Sequence, residues 1–322
     1  MSTPTDVRPL VLLAGPVTAD QLDQIAAVAP GRRVHLAGDT DELTALVGEA
    51  EVLAAPAEQV PPALLRKGSG LRWIHLWAAG ADAALSPELV EHPAALTSSK
   101  GHGAVPLAEH SMMLMLMLNR DAPRWLRAQS ERRWEQFAHG ELMGRTVGII
   151  GLGNSGADLA RKAKAFHMTV LGMRRGSAKP EGVDELFTRD RLGEMLERCD
   201  VVVVTAPRTP ETVGMLGEAE FRRMKPGAHF ICISRGGVAD DDALLTALRE
   251  GWIAGAGIDA HGVEPLPPDS PFWDLPNVIL TPHNGTSRAE TRQRGVDVFC
   301  ANLARHLDGR PLTNEIDRST GY

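Results

Sequence analysis

Three side chains in the second half of this 322-residue chain have the types and order that proton transfer to a carbonyl requires. Arg235 stands in Ser234-Arg235-Gly236-Gly237, just after the strand-like run His229-Phe230-Ile231-Cys232-Ile233. Glu264 comes five residues after Asp259, which closes Gly257-Ile258-Asp259. His283 stands in Thr281-Pro282-His283-Asn284-Gly285, just after the apolar run 278–280. A 2-keto acid needs its carboxylate held by a fork of N–H donors, which arginine supplies. Its carbonyl oxygen needs a proton as hydride reaches the carbon, and histidine titrates in the range for that. A carboxylate beside the histidine orients the ring and favours the imidazolium, and Glu264 is the candidate. Singly, each of these residues could be a loop cap or a solvated surface group. Together they set out an anion binder, an acid/base and its carboxylate partner.

Upstream, Val147-Gly148-Ile149-Ile150-Gly151-Leu152-Gly153-Asn154-Ser155-Gly156 reads as a buried strand, a glycine turn and a helix over about 157–166. Gly151 permits the turn, Gly153 a close approach to a pyrophosphate, and Gly156 the packing of helix on strand. The helix N-terminus supplies N–H groups and a positive dipole end to the anion. The spacing and its strand-to-helix context predict dinucleotide binding. An acid about 20 residues on would pair with the ribose hydroxyls of NAD. None lies between Asp158 and Glu181; the next strand ends in Gly172-Met173-Arg174-Arg175. Arg174 falls at or next to the place of the absent carboxylate, and two guanidiniums can pair with a 2′-phosphate. The expectation is therefore NADP(H) ahead of NAD(H).

These residues need two sheets to position them. Strands are expected over 10–14, 33–37, 52–55 and 71–77, with helices over 20–29 and 41–48, the latter capped by Thr40. A long helix beginning near Val105 is apolar on all sides over 112–118, so it should be buried, either in the core or partly against a second subunit. A more polar helix over 121–136 carries Trp125 and Trp134. Beyond the glycine turn, strands are expected over 168–173, 200–204, 228–233, 253–259 and 277–280, with helices over 190–198, 240–249 and 286–308. Short strands alternating with helices predict parallel sheets covered on both faces. Arg235, Asp259 and His283 then fall at strand ends, where open α/β sheets bind ligands.

Composition narrows the classes. With 43% hydrophobic and 23% charged residues the chain reads as a soluble globular protein of two domains. Its net charge of −7 and lack of a basic block argue against nucleic acid. The apolar run 112–118 is too short to span a bilayer, and the N-terminus does not read as a secretion signal. The three cysteines, Cys199, Cys232 and Cys300, have no C-x-x-C spacing and read as buried thiols of a cytoplasmic protein. No metal is expected: His102 and His110, eight apart, have no acid or cysteine at ligand spacing.

The motifs also occur in a familiar order. Gly101 with Ala108-Glu109-His110, then Gly151-Leu152-Gly153 with Gly156, are followed by Ala206-Pro207 with Thr209 and Thr212. Ser234-Arg235-Gly236, Gly257-Ile258-Asp259, Glu264-Pro265 and Thr281-Pro282-His283 complete the series. Over essentially its whole length the chain resembles NAD(P)-dependent D-isomer-specific 2-hydroxyacid dehydrogenases. The resemblance implies two doubly wound α/β domains. A Rossmann-type cofactor domain, residues 104–287, would be inserted into a flavodoxin-like substrate domain, residues 1–103 plus 288–322. It implies a homodimer that interconverts 2-keto and D-2-hydroxy acids, with Arg235, Glu264 and His283 as the catalytic set. The backbone at Ala79 and Gly80 would help Arg235 and His283 hold the substrate. Asp259 would contact the nicotinamide amide, Pro207 and Thr212 would lie near the adenosine, and Ala206, Ile233, Ser234 and Gly285 would line the cofactor. Asn154-Ser155 and Asn284-Gly285-Thr286 depart from the commoner residues at their places. A dinucleotide-sensing corepressor or scaffold of the same fold, or a formate- or phosphite-type dehydrogenase, is the alternative. Trp77 or Trp273 could line the pocket or anchor a core, and Ala54, Ala55, Ala78 and Ala79 leave room for a substrate side chain.

Overall fold

The structure, a computed structural model, describes residues 8–81, 85–286 and 288–318, with Arg288 as backbone only. The chain divides into two compact units, Met1–Gly103 with Arg288–Tyr322, and Ala104–Ser287.

The first unit has five parallel strands: β1 (Leu10–Leu13), β2 (Arg33–Leu36), β3 (Ala50–Ala55), β4 (Trp73–Leu76) and β5 (Ala95–Ser98), in the order β2-β1-β3-β4-β5. Alternate residues face opposite sides of a strand, so a sheet covered on both faces needs continuous apolar runs. In β1, Leu10 and Leu12 join Leu53, Ile74 and Leu96 on one side. Val11 and Leu13 join Val52, Trp73 and Phe299 on the other. Phe299 comes from the helix Arg288–Leu307 and stacks on Trp73 at 5.0 Å between ring centroids. The final helix thus completes the core of the unit in which the chain begins.

The second unit has seven parallel strands: β6 (Thr146–Ile150), β7 (Thr169–Met173), β8 (Glu185–Phe187), β9 (Val201–Val204), β10 (His229–Cys232), β11 (Gly255–Ile258) and β12 (Val278–Leu280). Their order is β12-β11-β10-β9-β6-β7-β8. The chain runs outward one way from β6 to β8 and the other way from β9 to β12. The reversal between β6 and β9 is the point where such sheets bind their ligands. Val202 and Val204 face one core, and Val201 and Val203 the other. No described helix is long and apolar enough to cross a membrane.

Some expectations need correction. The helix Thr40–Leu46 is capped by Asp39, not Thr40: Asp39 is extended, and its Oδ1 accepts the Glu42 amide at 2.8 Å. The helix expected over 121–136 is Ala122–Ser130. Arg132 turns left-handed at φ 53°, and the Arg133 amide donates back to Ala128 O at 2.8 Å, which closes the helix as a Schellman motif does. Trp134 therefore lies outside the helix. The helix of the glycine turn starts at Asn154, three residues earlier than the pattern suggested. Strands β5 and β8 were not anticipated. β5 reads Ala-Leu-Thr-Ser and β8 has three residues led by an acid, so neither stands out as an apolar run.

The three cysteines are free and buried. Burial pushes the Cys199 thiol up to about 12 and those of Cys232 and Cys300 to about 11. All three are thiols rather than thiolates at neutral pH, as buried structural cysteines are.

Candidate active site

The glycine turn is shaped by contacts no side chain would allow. Gly151 has φ +102°, and a Cβ there would fall on the backbone of Ala206. A Cβ on Gly156 would strike the carbonyl oxygen of Gly151. Gly153, by contrast, faces open space. It is the N-cap of the 12-residue helix Asn154–Ala165 and has no side chain to bond the first-turn amides. Those N–H groups are left for an anion, and Asn154 and Ser155 lie in that first turn. Leu152 is buried against Gly172 of β7. The Thr205 hydroxyl donates to Gly151 O and fastens the turn to the end of β9. An open cradle at a helix N-terminus fits a dinucleotide pyrophosphate.

β7 ends at Met173, and Arg174 follows half-buried, donating to Ala178 O at 3.1 Å. Arg175 is exposed. Ala206 is buried, and the Thr212 hydroxyl closes the next turn, donating to Pro207 O and accepting the Thr209 amide, both at 2.7 Å. In that turn, hydrogen bonds from the Thr209 hydroxyl and its own amide hold the Glu211 carboxyl low, with Arg175 and Arg189 adding to the shift.

His283 and Glu264 come together. His283 Nδ1 lies 2.8 Å from Glu264 Oε2, and Glu264 Oε1 accepts the His261 amide at 2.9 Å. Partial burial pushes the Glu264 carboxyl up. Hydrogen bonds from His283 and the His261 amide outweigh it, and the net shift is down. With Nδ1 engaged, Nε2 is the nitrogen left for a substrate. Arg235 follows the buried Ile233 and the half-buried Ser234 at the end of β10 and donates to Ser234 O at 2.9 Å. A Cβ on Gly236 would collide with the carbonyl of His261, so the arginine turn seats directly on the backbone that anchors Glu264.

Asp259 is fully buried, and donors of the histidine loop occupy both its oxygens. Oδ1 accepts the Thr281 hydroxyl at 2.6 Å and the Asn284 amide at 3.1 Å. Oδ2 accepts the Gly285 amide at 3.0 Å. A Cβ on Gly285 would come within 2.8 Å of that oxygen, so only glycine lets the loop close on the acid.

In the first unit, Ala79 and Gly80 follow β4 in an exposed turn. Ser98 Oγ donates to Ala79 O at 3.0 Å, and the Ser99 amide reaches Leu76 O and Ala78 O, each at 3.0 Å. Among the described residues the amides of Ala79 and Gly80 donate to nothing, which suits a carboxylate acceptor. Trp77 is a core anchor: its Nε1 donates to Ala14 O at 2.8 Å and its ring meets Phe299 edge-on at 5.3 Å. Trp273 is 54% exposed and donates to Pro267 O at 2.9 Å.

Sequence reasoning did not assign roles to His261, Thr281 or His110. The His261 amide and Thr281 hydroxyl are local to the site, and their nearness to Glu264 and His283 in sequence was the available signal. His110, whose Nε2 lies 3.0 Å from Thr281 Oγ1, is 171 positions away; the Ala108-Glu109-His110 motif marked it but gave no sign of its partner.

A parallel sheet whose glycine turn sits where the strand order reverses is a dinucleotide-binding architecture. A family model described as D-isomer specific 2-hydroxyacid dehydrogenase, NAD binding domain, matches residues 112–285. The chain belongs to the D-isomer specific 2-hydroxyacid dehydrogenase family. It is 37% identical to a glyoxylate reductase of Korarchaeum cryptofilum over 77% of this chain and 76% of that one. It is 30% identical to a D-3-phosphoglycerate dehydrogenase of Archaeoglobus fulgidus over 95% of this chain, but spans only 59% of that protein's length. The fold matches an NADPH-dependent glyoxylate/hydroxypyruvate reductase of Sinorhizobium meliloti, solved with NADP and sulfate. There the TM-score is 0.84 and the identity 28%, covering 98% of this chain and all of that one.

Proposed function

We propose that this chain reduces small 2-keto acids to D-2-hydroxy acids with NADPH, and catalyses the reverse oxidation. The observation that carries the reading is the His283–Glu264 pair at 2.8 Å, at the carboxyl edge of a dinucleotide-binding sheet. When bound, the reduced nicotinamide supplies the hydride that adds to substrate C2. His283 delivers a proton from Nε2 to the carbonyl oxygen, so the ketone becomes an alcohol. Glu264 holds Nδ1 and steadies the ring while it carries that proton. Arg235 pairs with the substrate carboxylate and polarises the carbonyl. The amides of Ala79 and Gly80, without an acceptor among the described residues, are donors of the kind a carboxylate takes.

The first-turn amides of the helix Asn154–Ala165 hold the pyrophosphate. Arg174 and Arg175 receive the 2′-phosphate that an acid at this place would repel. The glyoxylate/hydroxypyruvate reductase with bound NADP and the glyoxylate reductase relative support this substrate class and cofactor. The family resemblance extends to a homodimer, and Met113, 40% exposed on the apolar stretch 112–118, is consistent with one.

The test is turnover of NADPH and NADH on glyoxylate, hydroxypyruvate and bulkier 2-keto acids. NADPH should be the better cofactor. His283→Ala and Arg235→Ala should each cut kcat/KM by about a thousandfold, within the range general acid catalysis supplies, with NADPH binding retained. Consumption on no keto acid would favour a scaffold or an inorganic-anion dehydrogenase. Near-normal kcat in either variant would refute the role assignment.

A further inference from the structure

We propose that His110 is a positioning residue for His283, acting through Thr281 and Asp259 to hold the acid/base loop; the inference rests on the reading of His283 as that acid/base.

His283 has φ +50°, a left-handed conformation that a side chain other than glycine adopts only under constraint. The constraint comes from Asp259. Its carboxylate takes donors on both sides of His283: the Thr281 hydroxyl before it, and the Asn284 and Gly285 amides after it. The loop can relax only if Asp259 lets go.

Asp259 is in turn held from the helix Ala104–Asn119, which packs on β11 where Gly257 leaves room for Leu114. One helical turn before Leu114, His110 Nε2 approaches Thr281 Oγ1 at 3.0 Å and Asp259 Oδ1 at 3.5 Å. Its side chain is 11% exposed. The direction of each bond follows from the donor count. The carboxylate only accepts, so the single hydroxyl proton of Thr281 goes to it. Thr281 must then accept from His110, which requires the proton on Nε2. Burial holds His110 below the usual histidine range despite the pull of Asp259. A neutral ring protonated on Nε2 is what the chain of bonds demands. The relay His110–Thr281–Asp259 therefore ties the catalytic loop to the longest helix of its unit.

The experiment pairs kinetics with hydrogen exchange. Variants His110→Ala, His110→Gln, Thr281→Val and the double His110→Ala/Thr281→Val are compared with the full chain, with melting temperature as the folding control. Loss of precise placement predicts that His110→Ala lowers kcat on glyoxylate roughly tenfold, with NADPH affinity unchanged. Glutamine, whose amide N–H can replace Nε2–H, should restore most of it. Thr281→Val should cost at least as much, and the double variant no more than Thr281→Val alone, because both break one relay. In His110→Ala the Asn284 and Gly285 amides should exchange about tenfold faster while those of Val201–Val204 stay protected.

Unchanged exchange at 284 and 285, failure of glutamine to rescue, or additive losses in the double variant would overturn the proposal. A wild-type chain that reduces no keto acid, or an active His283→Ala, refutes the functional reading instead. Hydrogen exchange then still decides whether His110 holds the loop.

Discussion

The turn at Ala79 and Gly80 and the loop at His283 sit at the ends of comparable strands, yet they are fastened by opposite means. The first unit uses neutral groups. Ser98 and Ser99 hold the 78–80 backbone, and behind them His75 bridges Thr97 Oγ1 at 2.8 Å and Ser99 Oγ at 3.0 Å. The second unit uses a buried carboxylate that gathers three loop donors. The difference follows from what each segment must present. A turn proposed to offer its amides to an anion gains nothing from a negative charge beneath it. A loop that must keep one ring in a strained backbone conformation needs the strongest acceptor available.

The comparison is broken most directly at Asp259. Asp259→Asn places an amide N–H against a loop donor and leaves it unmatched, at a cost of about 1–3 kcal/mol. kcat on the best keto acid should fall by about a hundredfold, since misplacement of about an ångström suffices for that. Stopped-flow and melting curves on the same preparation measure both. Unaltered kcat would mean the loop holds its shape without the acid.

The neutral anchor has its own weakness, which is acid. Burial, reinforced by His102, pushes His75 down to about 3 from 6.5. Its folded value is depressed, so the unfolded chain binds the extra proton as pH falls. Stability is therefore intact above pH 6.5 and declines between 6.5 and 3, by about 1.4 kcal/mol per pH unit from this group. Burial pushes His229 in the second unit down to about 4, and it adds the same sign over its own window. Urea midpoints at pH 7.5 and 5 should separate further for wild type than for His75→Gln. Equal pH slopes in the two proteins would remove His75 from the account.

The smallest effect is expected at Ser98. Ser98→Ala deletes one hydrogen bond to Ala79 O, worth about 1 kcal/mol. KM for the keto acid should rise a few fold, with kcat and NADPH affinity unaffected. A change in kcat instead would mean that the turn contributes to more than binding.

How much of this was legible in the sequence differs by element. The glycine turn was readable because Gly151 and Gly156 are imposed by steric contacts a pattern can encode. Arg235 and His283 were readable because each follows an apolar strand, and the sheet places such positions at one edge. β5 and β8 were not, because a short strand carrying Thr, Ser or Glu has no distinctive period. The end of the helix at Ser130 was hidden for another reason: the left-handed residue that closes it is Arg132 where glycine is usual. Asp259 reads as a site acid, but its partners do not. Nothing along the chain links His110 to Thr281, and only the packing of a helix on Gly257 brings them together.

That closed helix has a spectroscopic consequence. Of six tryptophans, Trp73 is fully buried while Trp134, just past the left-handed turn, is 91% exposed. Emission from the folded chain should thus be composite, with a red, iodide-quenchable component from Trp134. Any binding event that covers this indole would shift that component to the blue, giving a label-free signal for association.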